Sequence, residues 1–302
     1  MNWYKGNLHC HTTNSDGKSS PEKVAAYYKE LGHDFLAISD HNSHTKLSEY
    51  GDALDKNFIG IPASEFTGEK CCHVLAIGTN KKIIPTGYES PEDTQKKDIL
   101  QDGIDKIQAT GAIPIICHPP WRNTFDEKII MQTNGAHLFE VCNASPDCAS
   151  YPTMGFSNGD SIWDALLSKG FRYFGIASDD AHCYYENFHV RAPRGGKGWI
   201  VVKAESLTVE NIINSINCGK FYATTGVTLQ DYEVTDSYIH ISISPKNYER
   251  ATFEFIGNNG KILQMNTGIE ASYRIEGNEN YIRIRISSSW GGWAWTQPVF
   301  LG

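Results

Sequence analysis

Up to about residue 225, short apolar runs alternate with amphipathic stretches, and this alternation restricts the chain to a mostly parallel sheet or barrel flanked by helices. The strand candidates are Asn7–Thr12, Phe35–Asp40, Ile59–Glu65, His73–Gly78, Ile113–His118, His137–Cys142, Tyr173–Ser178 and Gly198–Val202. Helical patterns fill Pro21–Leu31, Leu47–Lys56, Asp93–Thr110, Asp126–Thr133, Ser161–Lys169 and Thr208–Cys218. Pro21 after Ser19-Ser20 and Gly32 after Leu31 mark the start and stop of the first helix. Beyond residue 226 the helical period stops. Tyr238–Ser244, Thr252–Ile256, Ile262–Met265, Tyr281–Ile286 and Trp293–Leu301, with the Asn258-Asn259-Gly260 turn, predict a small antiparallel sandwich. The expected division is therefore 1–225 and 226–302.

Imidazole and carboxylate side chains recur along the first of these parts: His9, His11, Asp16, His41, Glu65, His73, His118, Asp180 and His182. These groups suit borderline divalent ions such as zinc, manganese and iron(II). Most fall at the C-terminal ends of predicted strands, where βα-barrels place their chemistry. His73 departs from this pattern by opening its strand, as an antiparallel insertion would require. No single motif is decisive: with 11 histidines in 302 residues, chance alone supplies roughly 0.4 His-x-His pairs. Their order and their position after strands carry the signal.

Other polar residues lie near these in sequence. Asp40 and Asp179 immediately precede candidate ligands, so they either orient imidazoles or merely end strands. Glu140 and Asn143 are similarly placed at the end of another strand. Arg122, Arg191 and Arg194 offer guanidinium forks that match phosphate or carboxylate, although loop arginines are more often simply solvated. His44 and His189 follow ligand segments, where a proton-transfer or substrate role is open. His33, His137 and His240 read as structural. Gly195-Gly196-Lys197-Gly198 precedes a strand instead of opening a helix, so it reads as a turn and not a phosphate cradle. Trp293 and Trp295 share one face of a strand, which favours core packing over a carbohydrate platform that would include Trp290.

Composition narrows the function classes. Hydrophobic content of 40% and charged content of 21% are ordinary for a soluble globular protein. The opening residues lack a signal-peptide core, and no stretch spans a bilayer. Eight cysteines, several inside strands or adjacent, are no disulfide scaffold, and a reducing cytoplasm is expected. A net charge of −8 argues against a nucleic-acid polymer as partner. It leaves room for a small anionic substrate, because three divalent ions would bring about +6 into the pocket.

Asn7-Leu-His-Cys-His-Thr, Ser15-Asp16-Gly17, Ile38-Ser-Asp-His41, Cys117-His118-Pro119 and Ser178-Asp-Asp-Ala-His182 together resemble the successive motifs of the PHP (polymerase and histidinol phosphatase) superfamily. Lys220–Gly226 and Trp293–Phe300 are similar to segments of its CehA/McbA-like metallohydrolase branch. The resemblance implies an α/β fold: a distorted (β/α)7 barrel followed by a small antiparallel β-sandwich. It implies two or three divalent metal ions, zinc, manganese or iron. His9, His11, Glu65 and Asp180 would hold the first, Asp16, His41 and His118 the second, and Glu65, His73 and His182 the third. Glu65 would bridge, since glutamate has two usable oxygens. The implied activity is hydrolysis of a small phosphate ester, a phosphorylated metabolite or nucleotide, by a metal-bridging hydroxide. A carboxylic or carbamate ester hydrolase is the alternative, and a non-catalytic metal-containing binding module the third reading.

Overall fold

Strands and helices alternate through the first two thirds of this computed structural model, which describes residues 1–87, 92–148, 150, 158–185 and 192–301. The elements there are β1 (Asn2–Asn7), α1 (Pro21–Glu30), β2 (Phe35–Leu36), β3 (Ile59–Gly60), β4 (Ala63–Thr67), β5 (His73–Ile77), α2 (Lys96–Gln108) and β6 (Ile113–Ile116). They continue with α3 (Glu127–Ile130), β7 (Leu138–Asn143), α4 (Gly159–Ser168), β8 (Phe174–Ser178), β9 (Trp199–Ala204), α5 (Val209–Asn217) and β10 (Phe221–Thr224). The remainder is all strand: β11 (Leu229–Val234), β12 (Tyr238–Ile243), β13 (Ala251–Gly257), β14 (Lys261–Gly268), β15 (Glu270–Arg274), β16 (Tyr281–Ser288), β17 (Trp293–Thr296) and β18 (Val299–Phe300).

Pro21 starts α1, whose missing N–H costs nothing in a first turn, and Val24, Ala25 and Tyr28 turn inward at helical spacing. Gly32, at φ 70°, ends it in the left-handed region that glycine tolerates. In α2 the buried face is Ile99, Leu100, Gly103, Ile104 and Ile107, packed with Phe66, Val74 and Ile116. The expected helix at Leu47–Lys56 is a pair of 3-10 turns over Leu47–Ala53, broken at Gly51.

Three sheets result. One runs β14-β13-β16-β17-β10-β9-β1-β2-β3 with β18 beside β16, one runs β11-β12-β15, and one runs β4-β5-β6-β7-β8. The strand expected at Ile59–Glu65 is two strands, because the chain leaves one sheet for another at Pro62, which has no N–H to give a ladder. β3 pairs parallel with β2, and β4 pairs antiparallel with β5. β5 is antiparallel to β6 as well, which places His73 at the start of its strand on the same edge as the ends of the parallel strands.

No closed barrel forms among the described residues. The two larger sheets meet instead through isolated parallel bridges, His41 to Glu65 and Cys10 to Ala181. The first joins the segment after β2 to Glu65 within β4, and the second joins the segments just beyond β1 and β8, so the sheets converge where the candidate ligands sit. At the other end, β10 joins β9 to β17, and one ladder runs continuously past residue 225. Ile239, Ile241 and Ile243 of β12 pack against Phe253, Phe255, Ile282, Ile284 and Ile286, giving the expected apolar layer between antiparallel sheets. Trp295 is buried, with its indole N–H donating to Asp160 at 3.1 Å, and Trp293 stacks beside it. None of the eight cysteines forms a disulfide. Among the described residues no helix is long and apolar enough to cross a membrane.

Candidate metal centre

Glu65 lies at the middle of the converging segments. Fully buried on β4, its carboxylate meets His9 Nε2 at 3.3 Å, His11 Nε2 at 3.6 Å, His41 Nδ1 at 2.6 Å, His73 Nδ1 at 3.0 Å and His118 Nε2 at 3.8 Å. Asp180 Oδ1 stands 3.2 Å from His9 Nε2 and 3.1 Å from His11 Nε2. Asp16 Oδ1 is 3.3 Å from His182 Nε2 and 3.6 Å from His41 Nε2. Residues separated by up to 173 positions in the chain therefore meet in one cluster.

The strand ends deliver these side chains through tight backbone turns. His118 (φ 28°) and Asp180 (φ 48°) follow β6 and β8 in the left-handed region, a strained conformation for a branched or bulky side chain. The His118 N–H donates to Glu140 at 2.7 Å, which helps to hold that turn. Gly17 is required for a different reason: a Cβ there would sit 2.3 Å from the His11 carbonyl oxygen, so any side chain would push the Asp16 loop away.

The donor atoms form groups that differ from the partition the resemblance implies. Asp16 shares a group with His11, His41 and His182, whereas His118 lies with Glu65 and Cys117. His73 groups with Glu65 and His41, and His9 with His11 and Asp180. In this grouping His182 stands with Asp16 and His41, and His118 stands with Glu65. The reason is the loop after His11: the Lys18 N–H donates to the His182 carbonyl at 2.8 Å, which ties Asp16 to His182.

These residues fit divalent ions. Both Glu65 oxygens, His9 Nε2 and His73 Nδ1 are buried without an aligned hydrogen bond among the described residues, although they stand close together. Lone pairs facing one another at such distances are costly unless a proton or a metal ion lies between them. Glu140 fixes the tautomer this needs. It accepts from His9 Nδ1 at 2.7 Å and Asn143 Nδ2 at 2.9 Å, and from Ser178 Oγ, leaving His9 Nε2 free to ligate. Asn143 also donates to Asp180 Oδ2 at 3.2 Å. Replacing Glu140 by glutamine is expected to weaken divalent-metal affinity about 10- to 100-fold with the fold retained. Metal titration alongside circular dichroism checks this; unchanged affinity would remove Glu140 from its orienting role.

Among the described residues Asp40 and Asp179 make no hydrogen bond or ion pair to an imidazole. Asp40 accepts from the Thr12 N–H, Thr12 Oγ1, Ser15 Oγ and Thr45 Oγ1, which shapes the loop leading to Asp16. Asp179 accepts from Tyr28 and from the N–H groups of Gly196, Lys197 and Gly198. The Gly195–Gly198 turn thus closes on an internal carboxylate. Burial pushes Asp179 up to about 6, despite those donors.

Protons and cations compete for the cluster. Burial opposes charge on His9 and His41, but the surrounding carboxylates outweigh it: His9 rises well above the usual imidazole value, and His41 reaches about 9. Burial takes His11 down to about 4, only partly offset by Asp180. Burial would raise Glu65 and Asp180, yet the imidazoles around them hold both well below the carboxylate range. The hydrogen bond from His182 likewise lowers Asp16. Groups with raised pKa hold protons at neutral pH in the metal-free protein, and an ion must displace them. Binding of Mn²⁺ or Zn²⁺ is therefore expected to release protons and to weaken as pH falls from 8 to 6. Calorimetry in buffers of different ionisation enthalpy measures this, and a binding heat that does not depend on the buffer would contradict it.

The cluster opens into a cleft of about 380 Å³ lined by Asp16, His41, His73, His118, Asp180 and His182, together with Lys18, Trp121, Ser145, Asp147 and Cys148. Of the proposed substrate contacts, Arg122 lies on the surface against Trp121, with its guanidinium carbon 4.8 Å from the ring centre. Arg194 lines a separate cavity with Lys197. His44 faces the Ala63 carbonyl at 3.3 Å. His189 and Arg191 lie outside the described residues. Lys18 and Trp121 are among the cleft residues that sequence reasoning missed. Lys18 directly follows Ser15-Asp16-Gly17, and Trp121 follows His118-Pro119-Pro120, so proximity to a ligand motif was the available signal. Trp121 meets the His118 ring edge-on at a centroid distance of 4.9 Å.

The sequence matches no protein-family model and no curated protein. In structure the chain is similar to a two-domain protein from Bacteroides vulgatus described as containing a predicted PHP-like metal-dependent phosphoesterase. Identity is 13%, the TM-score is 0.52, and 95% of this chain and 90% of that one are covered. The chain has a PHP-like fold. Fainter likenesses are to an amidohydrolase from Chromobacterium violaceum, at 14% identity and a TM-score of 0.41 over 63% of this chain and 93% of that one. A lesion-specific endonuclease from Pyrococcus furiosus is comparable, at 15% identity and 0.44 over 73% and 57%. Neither is near enough to bear on this chain. Within the PHP-like fold, the cluster occupies the edge where the two larger sheets are bridged.

Proposed function

We propose that this chain is a metal-dependent phosphoester hydrolase acting on a small anionic ester, with two or three zinc, manganese or iron ions as its cofactor. The observation that carries the proposal is Glu65: both carboxylate oxygens are buried and free of aligned hydrogen bonds, ringed by imidazoles at the foot of an open cleft. Bound divalent ions would supply acidified water and stabilise charge on phosphoryl oxygens. His9, His11, Glu65 and Asp180 are suited to hold one ion, Glu65, His73 and His118 a second, and Asp16, His41 and His182 another. Glu140 orients His9, Asp40 shapes the Asp16 loop, and Trp121 walls one side of the cleft and limits water there.

The remaining architectural readings belong to the same proposal. We read β1, β2, β4, β5, β6, β7 and β8 as the strands of a distorted (β/α)7 barrel of the CehA/McbA-like branch, whose ladder does not close among the described residues. Residues 1–225 would form the hydrolase part and 226–302 the sandwich-like part. A second reading, carboxylic or carbamate ester hydrolysis, is favoured by one observation: no arginine lines the cleft among the described residues. The test is protein reconstituted with Mn²⁺, Zn²⁺ or Fe²⁺ and assayed on aryl phosphate, bis-aryl phosphate, aryl carbamate and a short oligonucleotide. Chelator-sensitive turnover of a phosphate ester is expected. Turnover of carbamate alone would install the second reading, and inert but fully metallated protein would leave a binding module.

A further inference from the structure

Lys18 is the one ammonium or guanidinium side chain that lines the cleft among the described residues. Its position is fixed by its backbone. Gly17 packs against the His11 carbonyl with no room for a side chain, and the Lys18 N–H donates to the His182 carbonyl at 2.8 Å. The adjacent Asp16 carboxylate stands 3.3 Å from His182 Nε2. Lys18 therefore leaves the backbone beside the outermost group of candidate ligands, while its side chain is exposed. No carboxylate of a described residue forms an ion pair with it, although Asp16, Asp147 and Asp180 share the cleft. An ammonium group on a flexible stem is a compact charge with three donors, well suited to phosphate oxygens beyond those facing the ions.

Resting on the hydrolase reading, we propose that Lys18 is a specificity-determining residue that selects dianionic phosphate monoesters over monoanionic diesters. A monoester presents three terminal oxygens and nearly two negative charges, so oxygen and charge remain for Lys18 after the ions are satisfied. A diester has two terminal oxygens and one charge.

The test compares wild-type, Lys18→Ala and Lys18→Arg proteins, all loaded with Mn²⁺, on p-nitrophenyl phosphate and bis(p-nitrophenyl) phosphate. Binding of inorganic phosphate is titrated in parallel by calorimetry, and bound manganese is counted. In Lys18→Ala the KM for the monoester is expected to rise about tenfold more than that for the diester, as loss of one charge-assisted contact implies. Phosphate affinity should fall by a similar factor, manganese content should hold, and Lys18→Arg should recover most of the loss. Equal effects on both esters, a drop in manganese content, or phosphate affinity that ignores the substitution would overturn the proposal. Should wild-type protein hydrolyse neither ester, the phosphoester reading fails by itself. Phosphate titration still decides whether Lys18 binds the anion.

Discussion

Glu65→Gln protein is expected to lose turnover by on the order of 10³-fold or more, and to bind fewer ions than wild type, while keeping its fold. The amide matches the carboxylate in shape, so the packing of β4 against β5 is undisturbed. What changes is charge and donor capacity. An amide brings one oxygen and an N–H where two anionic oxygens now face His9, His41, His73 and His118. Among the described residues no other carboxylate of the cluster stands within 4 Å of as many imidazoles, so on the proposed reading its loss would remove the ligand that neighbouring ions share. The measurement pairs metal content with kcat/KM and circular dichroism. Native-like spectra with full activity would refute the role assigned to Glu65.

A second large effect is expected far from the cleft, at Arg283 on β16. Its guanidinium is fully buried, ion-paired with Asp160 at 2.8 Å and hydrogen-bonded to Asp164 at 2.8 and 2.6 Å, with its carbon 5.0 Å from the Trp163 ring centre. These partners all lie on α4, so one side chain pins the late β region to a helix of the first part. Removing it takes the guanidinium from two largely buried carboxylates, leaving Asp160 with Trp295 and the more distant Arg285, and Asp164 with the Tyr281 hydroxyl. Arg283→Met is expected to cost about 3–5 kcal/mol of stability, the range seen when one partner of a buried pair is deleted. In an Arg283→Met, Asp164→Asn double variant the loss should be smaller than the sum of the single losses. Urea denaturation measures both. A loss below about 1 kcal/mol, as for exposed pairs, would show that the network contributes little.

Arg283 also shows where sequence reasoning ended. In Tyr281–Ser288 the isoleucines alternate with Arg283 and Arg285, and a strand of that pattern is expected to send its arginines to solvent. Here α4 covers that face, and only tertiary context could say so. The candidate ligands were legible because their residue types are uncommon in combination and they follow strand after strand. Their grouping was not, since it depends on contacts between distant segments, such as the Lys18 N–H to the His182 carbonyl and the His11 N–H to the Ala181 carbonyl. β11 and β15 escaped notice for a local reason. Leu229–Val234 is mostly exposed and polar, and Glu270–Arg274 is too short for its alternation to stand out. Arg122 was near a ligand in sequence yet turns away at a left-handed backbone position (φ 52°), where Trp121 takes the place beside His118.

Anomalous scattering from crystals of manganese-loaded protein tests the central claim most directly. The account predicts peaks at about 2.0–2.3 Å from donor atoms, at least two of them sharing Glu65, with His9, His73 and Asp180 among the other ligands. Well-ordered crystals of active protein with no peak at Glu65 would contradict it.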